Sequence, residues 1–163
     1  MNKIIFLFVT LFGIGKLKRV PGTYASLATT ILLLFLFHIL NTSANIVLIC
    51  VIIIFFISLY AVNIFIKDLD NKDPKEVVID EFIGQSIPIC LYEIAHENTK
   101  ETSQILTAYF IMFILFRIFD IVKPYPVSYY DKNFKNSFGV VMDDVCAGLY
   151  VVAVLILYMI MNT

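Results

Sequence analysis

Residues 45–66 read NIVLICVIIIFFISLYAVNIFI, 22 positions without a charged side chain. A helix needs about 20 apolar residues to cross a hydrocarbon core, so this stretch is expected to span a membrane as one helix. Working outward, three further segments meet the same test with more polar interruption: residues 23–40, residues 104–122, which contain Arg117 and Asp120, and residues 145–161. Residues 82–95 are apolar but short, and Pro88 and Glu93 fall inside them. Such a segment spans thinly, kinks, or packs inside a bundle.

Composition points the same way. Of 163 residues, 60% are hydrophobic and 15% charged, with 15 Phe, 9 Tyr, no Trp and a mean hydropathy of +0.89. Apolar residues make up only roughly 45–50% of an ordinary soluble domain. The expected class is all-α: a helical integral membrane protein of about four or five membrane-embedded helices plus a short N-terminal helix, with residues 1–163 forming a single domain. The N-terminal apolar run, residues 4–12, has no small-residue cleavage site behind it and is followed by Lys16, Lys18 and Arg19. It is expected to stay in the mature chain as a short interfacial or partly inserted helix. Cys50, Cys90 and Cys146 lie far apart in apolar sequence, without metal spacing or a disulfide framework, and are expected to be small core residues. With a net charge of −1, no nucleic-acid partner is expected.

Charge placement orients the chain. If the loop at residues 13–22 is cytoplasmic, the spans alternate so that Lys16, Lys18, Arg19, Lys67, Lys72, Lys75, Lys123, Lys132 and Lys135 lie inside, against Lys100 outside. This is the asymmetry of the positive-inside rule. The same topology gathers the unusual polar residues at one membrane face.

Those residues are two acidic pairs, Asp80-Glu81 and Asp143-Asp144, each set in apolar sequence, and Arg117, Asp120 and Lys123 at i, i+3, i+6. Adjacent carboxylates near lipid are costly unless a cation or a hydrogen-bond network holds them. Each pair could cap a helix N-terminus; alternatively the pairs hold Mg²⁺, a hard cation that takes one or two carboxylates together with water and phosphate oxygens. Arg117 and Asp120 could be an intrahelical pair beside a snorkelling Lys123, or Arg117 and Lys123 bind phosphate while Asp120 joins the metal. Pro21 with Thr23 or Ser26 could start and cap the first long span, or the exposed N–H groups and hydroxyls of Pro21-Gly22-Thr23 to Ser26, with Lys18 and Arg19, bind an anion. Asp68-Leu69-Asp70 looks like the nucleophile motif of haloacid-dehalogenase-type phosphatases, but that fold needs a parallel strand in a soluble α/β domain.

Four blocks in order, Pro21-Gly22-Thr23, Val78-Ile79-Asp80-Glu81-Phe82-Ile83-Gly84, Phe116-Arg117-Ile118-Phe119-Asp120-Ile121-Val122-Lys123-Pro124-Tyr125-Pro126 and Gly139-Val140-Val141-Met142-Asp143-Asp144-Val145-Cys146-Ala147-Gly148, resemble the phosphatidylglycerophosphatase A family over nearly the whole chain. The first block departs from the family pattern, with Ala25 before Ser26 where glycine is usual, and the approach to the last pair, Lys135-Asn136-Ser137-Phe138-Gly139, carries less glycine. The resemblance implies an all-helical enzyme of the bacterial inner membrane, facing the cytoplasm, that uses Mg²⁺ to convert phosphatidylglycerophosphate to phosphatidylglycerol. The expected catalytic set is Asp80, Glu81, Arg117, Asp120, Lys123, Asp143 and Asp144. Of these, Asp80, Glu81, Asp120, Asp143 and Asp144 are expected to bind metal. Lys18, Arg19, Pro21, Gly22, Thr23, Ser26, Arg117 and Lys123 are expected to bind substrate. The rival readings are a phosphatase for another lipid phosphate such as phosphatidate, and a non-enzymatic membrane cation-binding or carrier protein. A carrier would place its ionisable groups at mid-membrane rather than at one edge.

Overall fold

The computed structural model describes residues 3–69, 71, 72, 74–96 and 102–161, which are helical with connecting turns and contain no strand. Asp70 and the expected outer loop with Lys100 lie outside the described residues. The helices are α1 (Lys3–Val9), α2 (Pro21–His38), α3 (Ala44–Ile66), α4 (Ile79–His96), α5 (Thr102–Val122), α6 (Val127–Asn133) and α7 (Ser137–Met161), with a 3-10 turn at Leu11–Lys16. Four of them, α2, α3, α5 and α7, are long and apolar enough to cross a membrane. Their outer faces leave Ile49, Ile53, Phe56, Phe110, Ile114 and Leu157 exposed, as expected of surfaces wetted by lipid rather than water.

The short segment at residues 82–95 packs inside the bundle. It belongs to α4, which touches α2, α3, α5 and α7 and buries Ile79, Asp80, Ile83, Gly84, Gln85, Ser86, Pro88, Ile89, Cys90 and Tyr92. Its mixture of small and polar side chains suits a helix enclosed by others, because small residues let backbones approach where no hydrophobic drive between helices exists. Buried hydroxyls find partners within their own helices: Ser26 Oγ donates to the Gly22 carbonyl at 2.9 Å, Thr29 to Ala25 at 2.8 Å and Ser86 to Phe82 at 2.6 Å.

Helices α4 and α7 approach each other closely. A Cβ placed on Gly84 would lie 2.5 Å from the Asp144 carbonyl oxygen, and one on Gly148 would lie 2.3 Å from the Gly84 carbonyl oxygen. Pro88 has no N–H to give to the residue four before it, so the Gly84 carbonyl is released from the helical ladder where Gly148 passes.

Three expectations change. α2 starts at Pro21 but neither Thr23 nor Ser26 caps it; the preceding residue, Val20, takes a left-handed conformation with φ 43° and no side chain caps the helix. α7 begins at Ser137, so Asp143 and Asp144 sit almost two turns inside it and do not cap its N-terminus. Cys50 is exposed on the outer face of α3, whereas Cys90 and Cys146 are buried.

Candidate active site

The Gly84/Gly148 crossing explains how the two acidic pairs meet. Asp80 stands four residues before Gly84 and Asp144 four residues before Gly148, so each carboxylate lies one turn from the crossing on the face that meets the other helix. Oxygens of Asp80, Glu81 and Asp144 all fall within 4.8 Å of one another. Asp80 and Asp144 are 7% and 3% exposed. The first carboxylate of each pair accepts a hydrogen bond from the backbone N–H of the second, Asp80 Oδ1 from Glu81 at 3.1 Å and Asp143 Oδ1 from Asp144 at 3.0 Å.

Three like charges this close repel unless a cation or protons intervene. Burial pushes the Glu81 carboxyl up to about 7, opposed by the hydrogen bond with Asp80 and reinforced by the charge of Asp120. Glu81 Oε2 is buried without a hydrogen-bond partner. The first turn of α2 lies directly against this carboxylate: a Cβ on Gly22 would come within 1.9 Å of Glu81 Oε1, so glycine leaves the room that the Glu81 carboxylate occupies. An all-oxygen, carboxylate-rich donor set with an unsatisfied oxygen fits a hard divalent cation.

The cluster opens into a cavity of ≈ 460 Å³ walled by the start of α2, the segment before α4, the end of α5 and α7. Five carboxylates, those of Asp80, Glu81, Asp120, Asp143 and Asp144, line it against the cations Arg117, Lys123 and Lys75. Arg117 is aimed by two contacts: NH1 donates to Asp120 Oδ2 at 2.8 Å and to Ser26 Oγ at 3.4 Å. Its Nε, buried and without a partner, remains as a donor. Lys123 follows the last turn of α5 with φ 48°, and its ammonium is held by Asp131 Oδ1 at 2.6 Å and Asp143 Oδ2 at 2.8 Å. Burial alone would lower the Lys123 pKa, but the charges and hydrogen bonds of Asp143 and Asp131 outweigh it and hold it above the ordinary lysine value.

The family model of phosphatidylglycerophosphatase A matches residues 7–159. The chain belongs to the phosphatidylglycerophosphatase A family. It is 37% identical over 150 residues to phosphatidylglycerophosphatase A of Haemophilus influenzae, covering 92% of this chain and 85% of that one. It is 32% identical over 141 residues to phosphatidylglycerophosphatase A of Escherichia coli K12, covering 85% and 73%. A Bacteroides thetaiotaomicron protein provisionally named phosphatidylinositol-3-phosphatase is 36% identical over 141 residues, covering 85% and 83%. No solved structure gives a significant match.

Within the phosphatidylglycerophosphatase A architecture, the expected site residues divide. Asp80, Glu81, Asp120, Asp143, Asp144, Arg117, Lys123, Pro21, Gly22 and Thr23 all line the one cavity. Only Asp80, Glu81 and Asp144 form the tight cluster; Asp120 is engaged by Arg117, and Asp143 by Lys123. The i,i+3 pair of Arg117 and Asp120 forms, and both residues line the cavity. Ser26 is buried behind the wall and acts on Arg117. Lys18 lines a neighbouring cavity instead, and exposed Arg19 lines neither. Sequence reasoning missed Asp131, which shares Lys123, and Lys75, which lines the cavity from the loop before α4. Lys75 follows Pro74 in the hydrophilic run leading to the first acidic pair, a signal within reach; Asp131, in an ordinary polar stretch, gave none. His38 takes no part, its Nε2 lying 3.2 Å from Glu93 Oε1 at the other end of the bundle.

Proposed function

We propose that this chain, working as one domain over residues 1–163, is a Mg²⁺-dependent phosphatase of the bacterial inner membrane. It removes the terminal phosphomonoester of phosphatidylglycerophosphate at the cytoplasmic face and leaves phosphatidylglycerol. The observation that carries this reading is a buried three-carboxylate cluster facing Arg117 and Lys123 across one cavity, in a chain similar to two relatives named for that reaction. Lysines before α4 and after α5, at the same end of the bundle as the cavity, support the cytoplasmic orientation.

Asp80, Glu81 and Asp144 hold the cation. Mg²⁺ bound there supplies charge neutralisation and Lewis-acid polarisation at the phosphoryl oxygens. Arg117 lines the cavity with its guanidinium held by Asp120 and Ser26, so its charge is placed for the phosphate. Lys123 is restrained by two carboxylates, so its charge reaches the phosphate without reorganisation at the moment of reaction. The lipid tails pass between or along the helices, because the cavity opens at the end of the spans.

The deciding experiment is phosphate release by detergent-solubilised protein from phosphatidylglycerophosphate, phosphatidate and phosphatidylinositol 3-phosphate, with and without chelator, beside Asp144→Asn. Release from the first lipid that disappears with chelator and in the variant supports the proposal. Preference for the inositol lipid would favour the activity in the name of the Bacteroides relative, and release from none would remove the enzymatic reading. Trapping labelled phosphate on the protein tests whether a carboxylate forms a phosphoenzyme or water attacks directly, since a covalent acyl-phosphate would rule out direct attack by water.

A further inference from the structure

Beside the carboxylate cavity lies a second one of ≈ 550 Å³ whose polar wall is Lys16, Lys18, Lys75 and Glu76. The two share Val20, Pro21 and Lys75, so they lie side by side. We propose that this basic cavity is a second anion subsite, which receives the phosphodiester of a lipid whose phosphomonoester sits at the carboxylate cluster. The proposal rests on the lipid-phosphatase reading above and deepens it by naming the substrate class: lipids that carry both a diester and a monoester phosphate. Phosphatidylglycerophosphate and phosphatidylinositol 3-phosphate have both groups. Phosphatidate has only the monoester.

The ammonium groups sit on a locked frame rather than on free loops. The Val78 N–H donates to the Val9 carbonyl at 2.9 Å, joining the end of α1 to the segment before α4. Gly15 lies so close to that segment that a Cβ would meet the Glu76 carbonyl oxygen at 2.0 Å. The Lys16 ammonium rests 4.5 Å from the centroid of the Phe6 ring, which adds a cation–π attraction to its placement. Three ammonium groups against the single carboxylate of Glu76 leave the lining positive, suited to one diester charge.

The surroundings favour a lipid as the source of that anion. Phe12, Leu17 and Val20 project 86%, 45% and 60% exposed around the lysines, the pairing of apolar side chains and cations that sits at a headgroup boundary. A diester lies nearer the acyl chains than the terminal monoester does.

The test is steady-state kinetics in neutral detergent micelles with phosphatidylglycerophosphate and phosphatidate at equal surface fractions; a lipid that is not turned over is measured as a competitive inhibitor. Each lysine removed is expected to weaken diester binding up to about fivefold, the range of exposed ion pairs. Lys16→Ala/Lys18→Ala should therefore raise KM for the diester-containing lipid by about tenfold with kcat held, and leave phosphatidate binding nearly unchanged. Lys16→Arg should restore most of the loss, and Gly15→Ala, which parts Lys16 from Lys75, should mimic it. An equal loss for both lipids would mean general attraction to an anionic surface, and no loss for either would mean the lysines bind nothing; either overturns the proposal while leaving the phosphatase reading standing. A wild-type protein that hydrolyses neither lipid would overturn both.

Discussion

Gly84→Ala tests how the site is built. The added methyl carbon would start 2.5 Å from the Asp144 carbonyl oxygen and 2.7 Å from Phe116 Cε2. Ordinary contact begins near 3.4 Å, so α4 and α7 must part by most of an ångström, because one obstacle is backbone and cannot rotate away. Overpacking of this kind costs about 1–3 kcal/mol, and a lower melting temperature is expected. The sharper consequence lies one turn away, where Asp80 and Glu81 on α4 and Asp144 on α7 hold their oxygens within 4.8 Å. A misplacement of about 1 Å in a preorganised site can cost on the order of 10²-fold in rate. The cation concentration for half-maximal phosphate release should therefore rise about 10- to 100-fold, measured well below the melting transition. Gly139→Ala is the control: its Cβ would meet the Phe134 carbonyl oxygen at 1.9 Å, a comparable backbone clash at the α6–α7 junction, with a much smaller effect on cation requirement expected. A Gly84→Ala protein with wild-type activity and cation requirement would refute the idea that the helix crossing sets the cluster.

The other predictions concern single groups. Gly22→Ala should lower activity by an order of magnitude or more with little change in melting temperature, because its methyl group displaces the movable Glu81 carboxylate rather than backbone; melting curves and rates taken together check it. Arg117→Lys keeps the charge but loses the fork that contacts Asp120 and Ser26 together, so activity should fall about 10²-fold, the scale for one preorganised donor, whereas Ser26→Ala should cost less than about tenfold in the same assay. Lys123→Met should lower the melting temperature by a nearly constant amount between about pH 6 and 9. A group whose folded pKa is raised stabilises fully below its unfolded value, near 10.4 for lysine, and loses that contribution only as pH climbs through the folded value; an offset that vanished by neutral pH would contradict the assignment. Replacing Asp131 in addition should recover part of the loss, since Lys123→Met otherwise leaves Asp131 and Asp143 facing each other without their shared cation.

The sequence by itself determined what depends on local chemistry. Continuous apolar runs marked the helices long enough to cross a membrane, lysine placement gathered the polar groups at one face, and acidic pairs in apolar surroundings marked where a cation or a hydrogen-bond network is called for. Each of these is a property of neighbours in the chain, governed by hydropathy, helix length and the cost of charge near lipid. Only the tertiary structure decided which carboxylates converge. Asp143 and Asp144 are adjacent and chemically alike, yet one joins Asp80 and Glu81 while the other turns to Lys123, because successive residues on a helix point about 100° apart and only one of the two faces α4. The same holds for the central place of α4, whose short and interrupted apolar segment left spanning, kinking and enclosure equally open. That choice depended on Pro88 freeing the Gly84 carbonyl and on Gly148 approaching it. The reason is physical: hydrophobicity drives a helix into the bilayer, but within the bilayer it does not choose a neighbour, and close backbone approach at small residues does.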